Sequence, residues 1–558
     1  MKIKLFLCLF LVFSFLLDAQ TVHEPNSEIY RDIDTWFVQG YITEFLPLVR
    51  PYPAELINRL LDQVIQNGNS SARQRAERYK EYFAPVSRFV YPGVMGYFQG
   101  DEEDTSVIAA AFIEGVFHLY DRLDFSYNFA FYGISNNDGE KHNVPGTYSP
   151  YPDLIDDTAD IGPLRILQNW TSNISYGSPD VYIRAGVSRS SFGPFYDNGV
   201  VAGPQAPRAG NISFAYRDPL WSYEMLFQSL VATDDYGMGE FSSKYNIIHA
   251  LVFRPFRNFE FTAMQSLVYG QRLDLIYMIP FTYLFGAQSI NGFMDNAFIG
   301  FNFRWRAFNS LLFKGQIYID DFSFNGLVSG NPYMKAAGQI GVSWAPRDSF
   351  LSRLDFDYTA VMPYTYSHWH EPWYDRYNGL SDPSDPRSEP NGRNPLHPAQ
   401  RIGNYLNYTH LGRNIGPDLE PNSDRIFLRG NIRILSNLEV NISGFLMRHG
   451  NASEGKEWLD PDHHDGTIFD SGTTDPWYGN DNPWDSDKNY YKQMYFLTQS
   501  NLEILLGGTL GAAWTIPTSF GTFSLSCDYG IQYGWNRGLE KGNNGFNHFW
   551  SIGGRWCW

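Results

Sequence analysis

The chain has 558 residues, enough for one large fold or two of ordinary size. Its net charge of −18 argues against nucleic acid as a partner, because phosphate groups require a basic binding surface. Aromatic residues make up 17% of the chain, an excess that belts of aromatic side chains at the two interfaces of a membrane would explain. After the N-terminus the sequence contains no run of about twenty apolar residues, which excludes membrane-spanning helices from that part of the chain.

The first residues have the pattern of a secretory signal peptide. The basic segment Met1–Lys4 precedes the apolar segment Leu5–Leu17, and Ala19 offers a small residue at the cleavage point. We therefore predict a signal peptide over residues 1–19. Cys8 follows a bulky leucine and precedes further apolar residues, so lipid attachment there is disfavoured.

The next part, residues 20–86, is predicted to form a bundle of three short helices. Apolar residues recur at helical spacing in its first two stretches. Pro53 suits a first helical turn, Gly68 suits a helix end, and Ser70 or Ser71 can cap the third helix. We expect this bundle to dock on a larger body as a plug or adaptor without chemistry of its own.

A two-residue period follows the bundle and is clearest between Asn296 and Asp320. Apolar side chains alternate with mostly polar ones in two arms, separated by a break at Ala307–Ser310. Because successive side chains of a strand point to opposite faces, this segment predicts a hairpin with one apolar and one mostly polar face. Each arm has about ten residues, the length that a tilted strand needs to cross a bilayer.

Similar patterns predict about eighteen strands over residues 87–558. Short turns, such as Tyr120-Asp121 and Pro517–Gly521, alternate with longer segments that we interpret as polar outer loops, among them Ser190–Arg208 and Gln271–Asp295. Short turns at one end and long loops at the other are typical of an outer-membrane barrel. A soluble β-sandwich is the alternative, since alternation is common to both folds.

We therefore predict a mainly β protein, a transmembrane antiparallel β-barrel in the cell outer membrane, with the helical bundle in the periplasm. Outer-membrane lipid and, during biogenesis, the barrel-assembly machinery would be its partners. The last strand, which places Trp550, Ile552, Trp556 and Trp558 on one face, resembles the signal recognised by that machinery. We expect a monomer. Cys527 and Cys557 fall on opposite faces of their strands, which disfavours a disulfide between them.

Strand parity directs several charged side chains into the predicted lumen, including Arg304, Arg306, Arg425, Arg429 and Arg433. One reading is a ladder that pairs with the carboxylates or phosphates of an anionic polymer. The other, which we favour, is that these cations pair with inward-facing acids in a barrel that must satisfy its polar interior.

The loop after His449 combines carboxylates with flat aromatic rings, and it supplies our candidate ligand contacts. Aromatic faces stack on the apolar faces of sugar rings, and carboxylates accept hydrogen bonds from hydroxyl groups. The candidates are Trp458, Asp460, Asp462, Asp465, Trp477, Tyr478 and Trp484. A solvated acidic loop explains the same composition. No set of residues has metal-ligand spacing that we accept as a site, and we expect no cofactor.

The sequence has no linear motif of a hydrolase or of a phosphate-binding loop. The adjacent carboxylates Asp320 and Asp321 would point apart on a strand, which does not suit a glycosidase pair. We therefore expect a protein without catalytic activity. A diffusion channel and, less favoured, an outer-membrane hydrolase are the alternatives.

Several short segments occur in an order that is similar to one known family. They are Ile29–Leu61 with Leu46-Pro47-Leu48, Ala185–Pro194 with Ala206-Pro207, Asp295-Asn296-Ala297 with Gly300, Gly315-Gln316 with Asp320-Asp321-Phe322, and Pro363–His368 with Asn407–His410 and Gly416-Pro417. Together they resemble the capsule assembly Wzi-like family of outer-membrane proteins. Phe195 departs from that pattern, which often has a second glycine after Gly-Pro, and the acidic loop after His449 has no match in it.

The resemblance implies a closed eighteen-stranded barrel with a periplasmic helical bundle. It also implies a lectin-like role, in which the protein binds or anchors capsular polysaccharide or exopolysaccharide at the cell surface. It does not assign ligand residues. We expect Gly193-Pro194, His368 and His410 to shape loops rather than to contact sugar.

Overall fold

The structure, a computed structural model, describes residues 25, 27–82, 90–101, 105–120, 122–135, 159–162, 164–231, 243–270, 272–291, 295–322, 334–368, 406–435, 437–455, 465–470, 496–518 and 521–557. In this part of the chain eighteen strands form a closed antiparallel barrel, in which each strand pairs with the next and the first pairs with the last. The predicted fold class and strand number are confirmed. The predicted signal peptide lies outside the described residues.

The barrel strands are β1 (Tyr91–Gly100), β2 (Thr105–Tyr120), β3 (Leu123–Ile134), β4 (Leu164–Gly177), β5 (Val181–Ser188), β6 (Ala209–Arg217), β7 (Trp221–Val231), β8 (Ser243–Phe256), β9 (Phe259–Gly270), β10 (Asn296–Ala307), β11 (Leu311–Phe322), β12 (Met334–Trp344), β13 (Leu351–Val361), β14 (Ser423–Leu435), β15 (Leu438–Gly450), β16 (Leu502–Thr518), β17 (Gly521–Trp535) and β18 (Gly545–Cys557).

Short strands occur at Val49–Arg50, Ala159–Ile161, Ser191–Phe192, Thr409–His410 and Arg413–Asn414. The helices are α1 (Glu28–Val38), α2 (Ala54–Asn67), α3 (Ser70–Tyr82) and α4 (Leu284–Asn291), with single 3-10 turns at Leu275–Met278 and Arg537–Leu539. None of the described helices has both the length and the apolar character that crossing a membrane requires.

The hairpin β10–β11 shows why these strands form. Asn302 pairs with Gln316, and Arg304 pairs with Lys314, so the polar faces of the two strands coincide. That face is buried inside the barrel, whereas Trp305 on the other face is 44% exposed. The alternation predicted from the sequence is therefore confirmed, with the apolar face outward.

Every predicted short turn joins two strands at the same end of the barrel, which we call the short-turn end. The remaining connections meet at the opposite, long-loop end. The link between β1 and β2 is an exception there, because it consists only of residues 101–104. Short turns and longer connections alternate along the rest of the described chain. The first and last strands lie side by side and pair antiparallel.

Four exposed aromatic side chains mark the short-turn end of the outer wall. Tyr176, Trp305, Trp344 and Trp514 lie near the short-turn ends of their strands and point outward. Tyrosine and tryptophan prefer the membrane–water interface, where the ring contacts hydrocarbon and the polar atom contacts water. The distribution is that of a barrel with an interfacial girdle.

The helices α1–α3 occupy the short-turn mouth of the barrel. Gln39 Nε2 donates a hydrogen bond to the carbonyl of Pro346 at 3.0 Å, and Arg59 Nη1 lies 2.6 Å from Asp180 Oδ1 in the turn between β4 and β5. The apolar faces of the helices pack in one cluster with lumen-facing side chains such as Phe112. The amphipathic pattern of α1 and α2 therefore buries its apolar side against the inside of the barrel.

The connection between β9 and β10 contradicts our expectation of a polar outer loop over Gln271–Asp295. Residues 272–291, which we call the strap, fold back along the outer wall of the barrel. There Tyr277 and Leu284 pack in one cluster with outward-facing side chains of β7–β9, such as Tyr223. The prediction was wrong because this segment is mainly apolar, and apolar surface is driven onto other apolar surface.

Candidate functional site

The first of two segments that fill the lumen is the inner plug, residues 27–82. After α1 its chain rises into the barrel, where the backbone nitrogens of Leu48 and Val49 donate to Glu224 Oε2 at 2.7 and 3.2 Å. Glu224 lies on β7 and is buried. A buried carboxylate needs such partners, so Glu224 fixes the height of this segment in the lumen.

The second segment is the outer plug, residues 189–208, which links β5 to β6 and folds inward from the long-loop end. Its strand Ser191–Phe192 pairs antiparallel with Val49–Arg50 of the inner plug. The nitrogen of Gly193 also donates to the carbonyl of Leu48 at 3.0 Å. The two plugs are therefore joined by backbone hydrogen bonds inside the barrel.

Gly193 has a backbone conformation that the junction requires. Its φ is +104°, and a Cβ atom there would lie 2.6 Å from Gln316 Nε2. Both the backbone angle and the close approach favour glycine. The Gly193-Pro194 pair, which carries part of the family resemblance, thus shapes the turn by which the outer plug passes the barrel wall.

Two tyrosines from the loop between β13 and β14 hold the outer plug from above. The hydroxyl of Tyr366 donates to the carbonyl of Val200 at 2.6 Å, and the hydroxyl of Tyr408 donates to that of Val201 at 2.7 Å. Their rings are stacked with centroids 5.5 Å apart. The loop between β13 and β14 therefore covers the outer plug at the long-loop end.

The histidines of the resembling segments also bind neighbouring loops. The nitrogen of Val231 donates to His410 Nδ1 at 2.9 Å, and His410 Nε2 lies 2.9 Å from the carbonyl of Arg208. The backbone nitrogen of His368 donates to Asn407 Oδ1 at 2.6 Å. In these contacts both residues hold loops in place.

Of the predicted lumen arginines, Arg304 and Arg306 lie on β10 and contact the inner plug. Arg304 Nε donates to Glu260 Oε1 at 2.8 Å, Nη1 to the Tyr196 hydroxyl at 3.2 Å, and Nη2 to an inner-plug carbonyl at 2.6 Å. Arg306 Nη1 donates to the carbonyl of Ile42 at 2.7 Å. Arg304 therefore joins the barrel wall to both plugs.

Two further arginines, Arg429 and Arg433, share one face of β14, as their spacing predicts. Arg433 Nη2 lies 2.9 Å from Asp32 Oδ1 of α1 and 3.0 Å from Glu439 Oε2 of β15. Arg429 forms an ion pair with Asp197 of the outer plug. These cations pair with acids of the plugs as well as with acids of the wall.

Arg425, the last of the five, borders a small cavity between the outer plug and the wall. Its guanidinium lies 5.5 Å from the centroid of the Phe427 ring. Lys314 and Asp357 also border this cavity, with 3.6 Å between Lys314 Nζ and Asp357 Oδ1. The lumen thus holds charges of both signs in contact, and the interpretation favoured from the sequence, mutual pairing, agrees with this geometry.

The plug carboxylates that meet these arginines titrate abnormally. Burial raises the pKa of Asp32, but the guanidinium groups of Arg75 and Arg433 outweigh burial, so its pKa is lowered. Burial also raises the pKa of Asp197, but the guanidinium group of Arg429 outweighs burial, so the pKa of Asp197 lies well below the usual range. Both carboxylates are therefore ionised at neutral pH and hold their plugs electrostatically.

Among the predicted sugar contacts, Asp465 lies within the described residues. It is exposed, and its Oδ1 accepts hydrogen bonds from the nitrogen of Thr467 at 3.0 Å and from Thr467 Oγ1 at 2.7 Å. The remaining candidates, Trp458, Asp460, Asp462, Trp477, Tyr478 and Trp484, lie outside the described residues. Asp465 is thus an exposed turn residue in a loop at the long-loop end.

Within the described ranges, no group of three or more His, Cys, Asp and Glu side chains is arranged to hold a metal ion. Cys527 is exposed on its strand and Cys557 is buried. The two thiols face opposite sides of the wall, as strand parity predicts.

No protein-family model and no curated protein matches the chain. Among solved structures it is similar to Wzi of Escherichia coli, a carbohydrate-binding β-barrel of the outer membrane that is involved in group 1 capsule assembly. The TM-score is 0.53 at 11% sequence identity, and the alignment covers 97% of this chain and 99% of Wzi. The chain has the fold of Wzi. The resemblance indicated by the sequence motifs is confirmed at the level of fold.

Two barrels of Pseudomonas aeruginosa are also similar. OccD3 matches with a TM-score of 0.41 at 8% identity, covering 84% of this chain and 91% of OccD3. OprD matches with a TM-score of 0.41 at 9% identity, covering 84% of this chain and 94% of OprD. Scores of this size carry no argument about function.

Glu224 has no local pattern that marks it in the sequence, because its partners lie far away in the chain. Tyr366 and Tyr408 lie in segments that carry the family resemblance, but the sequence did not predict their hydrogen bonds to the outer plug. The outer plug offered one signal, the apolar run Val200-Val201-Ala202 inside a segment that we interpreted as an outer loop. All three of these residues are buried in the lumen cluster.

Proposed function

We propose that this protein is an outer-membrane barrel that binds or anchors capsular polysaccharide or exopolysaccharide at the cell surface, as a monomer and without catalysis. The long-loop end would face the medium, and α1–α3 would lie on the periplasmic side. The outward apolar wall and the girdle of exposed aromatic residues support insertion in a membrane.

One observation carries the binding proposal: the plugs meet inside the barrel and are joined through Val49–Arg50 and Ser191–Phe192. A diffusion channel needs a water-filled lumen. Here buried side chains of the plugs, such as Phe192 and Val200, pack against buried side chains of the wall. Such a barrel is suited to hold its long loops rigidly at the surface, and the carbohydrate binding of Wzi, which has the same fold, supports that use.

We propose that the long loop between β15 and β16 makes the sugar contacts. Trp458, Trp477, Tyr478 and Trp484 would stack on sugar rings, and Asp460, Asp462 and Asp465 would accept hydrogen bonds from hydroxyl groups. The turn at Asp465 supports this part of the proposal, because it lies at the long-loop end and is exposed.

The test is binding of purified protein in detergent to polysaccharide prepared from the cells that produce it. The wild type is compared with a variant in which Trp458, Trp477 and Trp484 are alanine, and with the control N543A, whose exposed residue lies in the loop between β17 and β18. Loss of three stacking rings should weaken binding at least about tenfold, or ~1.4 kcal/mol, while the control binds normally.

Wild-type protein that retains no polysaccharide would overturn the function, and unchanged binding by the triple variant would overturn the choice of loop. A planar-bilayer recording tests the alternative function, a diffusion channel. Steady ion conductance through the wild type would favour the channel over the binding protein, whereas silence fits the joined plugs.

A further inference from the structure

The strap, residues 272–291, changes the character of one sector of the outer wall. Beneath it the outward-facing side chains Tyr223, Ile247 and Leu267 are 0–1% exposed. On the opposite sector, outward-facing Leu510 is 54% exposed. The strap therefore covers the outward-facing side chains of this sector, which are exposed on other sectors of the wall.

The strap presents a new apolar surface in exchange. Leu275, Tyr283 and Ile290 are each at least 68% exposed and point away from the barrel. Between Asp274 and Asp295 the chain has no Asp, Glu, Lys or Arg, although such residues make up 18% of the whole chain. An exposed loop in water has no need to exclude charge, whereas a segment in hydrocarbon must exclude it.

The strap also reaches far along the wall. Its tip residue Phe281 stacks on Tyr223 of β7 with ring centroids 4.2 Å apart, and Tyr223 pairs with Leu251 of β8, an exposed wall residue. The strap leaves the barrel near Leu230 of β7, so its tip lies roughly 20 Å down that strand. The tip is therefore level with side chains of the apolar band rather than with the loops.

Polar side chains on the outer wall satisfy the backbone of the strap. Gln265 Oε1 accepts from the nitrogen of Leu284 at 2.9 Å, and Gln265 Nε2 donates to the carbonyl of Thr282 at 2.7 Å. His249 Nε2 lies 3.0 Å from the carbonyl of Tyr277. Irregular backbone at membrane depth requires partners within the protein, and polar groups facing outward are otherwise costly there. The backbone of the strap therefore explains why the outer wall carries Gln265 and His249, and these side chains explain how an irregular backbone can lie there.

The charges at the base of the strap lie together at the long-loop end. Arg272 Nη2 lies 2.9 Å from Asp295 Oδ2, and the Tyr277 hydroxyl donates to the same oxygen at 2.8 Å. Polar groups at one end and an uncharged body below them are the arrangement expected of a segment that enters a bilayer from one interface.

We infer that the strap is a re-entrant segment whose exposed face contacts the acyl chains of the membrane. This inference rests on the proposed membrane location of the barrel. A protein partner fits less well, because a protein-binding patch has a polar rim. The exposed face of the strap instead continues into the exposed apolar wall at Leu251 and Phe253.

The experiment places the environment-sensitive fluorophore NBD on single cysteines, in a variant in which Cys527 and Cys557 are serine. The strap positions are L275C and I290C. The wall control is L510C, and the aqueous control is K541C in the exposed loop between β17 and β18. Each protein is reconstituted in nanodiscs of dioleoylphosphatidylcholine, with or without bromine atoms at the middle of the acyl chains, and iodide serves as the aqueous quencher.

We expect brominated lipid to quench the labels at positions 275, 290 and 510, and iodide to quench only the label at position 541. Iodide quenching at the strap positions, with lipid quenching at Leu510, would overturn the inference and leave the membrane location intact. Strap labels shielded from both quenchers would also overturn it, because the exposed face of the strap would then be covered by protein. A failure of lipid quenching at Leu510 would instead overturn the proposed membrane location.

Discussion

Replacing Arg304 with methionine should loosen both plugs at once. Arg304 donates to Glu260 of the wall, to the Leu46 carbonyl of the inner plug and to the Tyr196 hydroxyl of the outer plug. Methionine fills similar space without any donor. The Leu46 carbonyl then loses this donor, and the buried Glu260 carboxylate keeps Arg254 Nε, at 2.9 Å, as its cation.

The size of the effect follows from burial. Removing one partner of a buried ion pair costs about 3–5 kcal/mol, because the other charge stays in a medium of low polarity. Since Arg254 still neutralises Glu260, we expect the lower end, about 3 kcal/mol. At ~1.4 kcal/mol for each factor of ten, the population with released plugs should rise roughly hundredfold.

Limited proteolysis of the segment around Arg50 measures that population, since cleavage of a transiently opened segment tracks its equilibrium. The matched control is R448M on the outer wall, where the half-exposed arginine pairs with Asp424 and points away from both plugs. R304M should be cleaved roughly a hundred times faster than R448M. A folded R304M protein that is cleaved at the control rate would falsify the assignment of Arg304 as the joint between the plugs.

Three further perturbations test the plugs. Because the pKa of Asp32 is lowered in the folded protein, its ion pairs stabilise the folded state at neutral pH and stop doing so as the pH falls through the lowered pKa. In thermal melts, the midpoint of D32N should therefore fall less on acidification than the midpoint of the wild type. Y366F and Y408F each remove the hydroxyl that donates to a carbonyl of the outer plug, and each should lower the free energy of unfolding by about 1–3 kcal/mol. F350L, on the exposed turn between β12 and β13, is the control and should leave that free energy unchanged. G193A meets both a positive φ and the Gln316 side chain, so it should lower the thermal midpoint, whereas G542A, which has a positive φ but open space, should lower it less.

The wall of the barrel was predictable because its cause is local. Lipid on one side and a polar lumen on the other impose a two-residue period on each strand, and a period is visible in one stretch of sequence. Arg304, Arg429 and Arg433 were placed inward by parity alone, and the short turns were located from their composition.

The partners of those arginines were not predictable in the same way. Asp197 lies 232 positions before Arg429, and Asp32 lies 401 positions before Arg433. No spacing rule spans such distances, so the sequence left open whether the charges face an anionic polymer or one another.

The strap is a second feature whose position could not be predicted from the sequence. Its apolar composition was visible, but its position between two strands led us to interpret it as an outer loop. Alternating side chains determine on their own that a strand has two faces and that many such strands close into a barrel. Only the tertiary structure decides what fills the inside and what lies against the outside, because those contacts join segments that the chain itself keeps far apart.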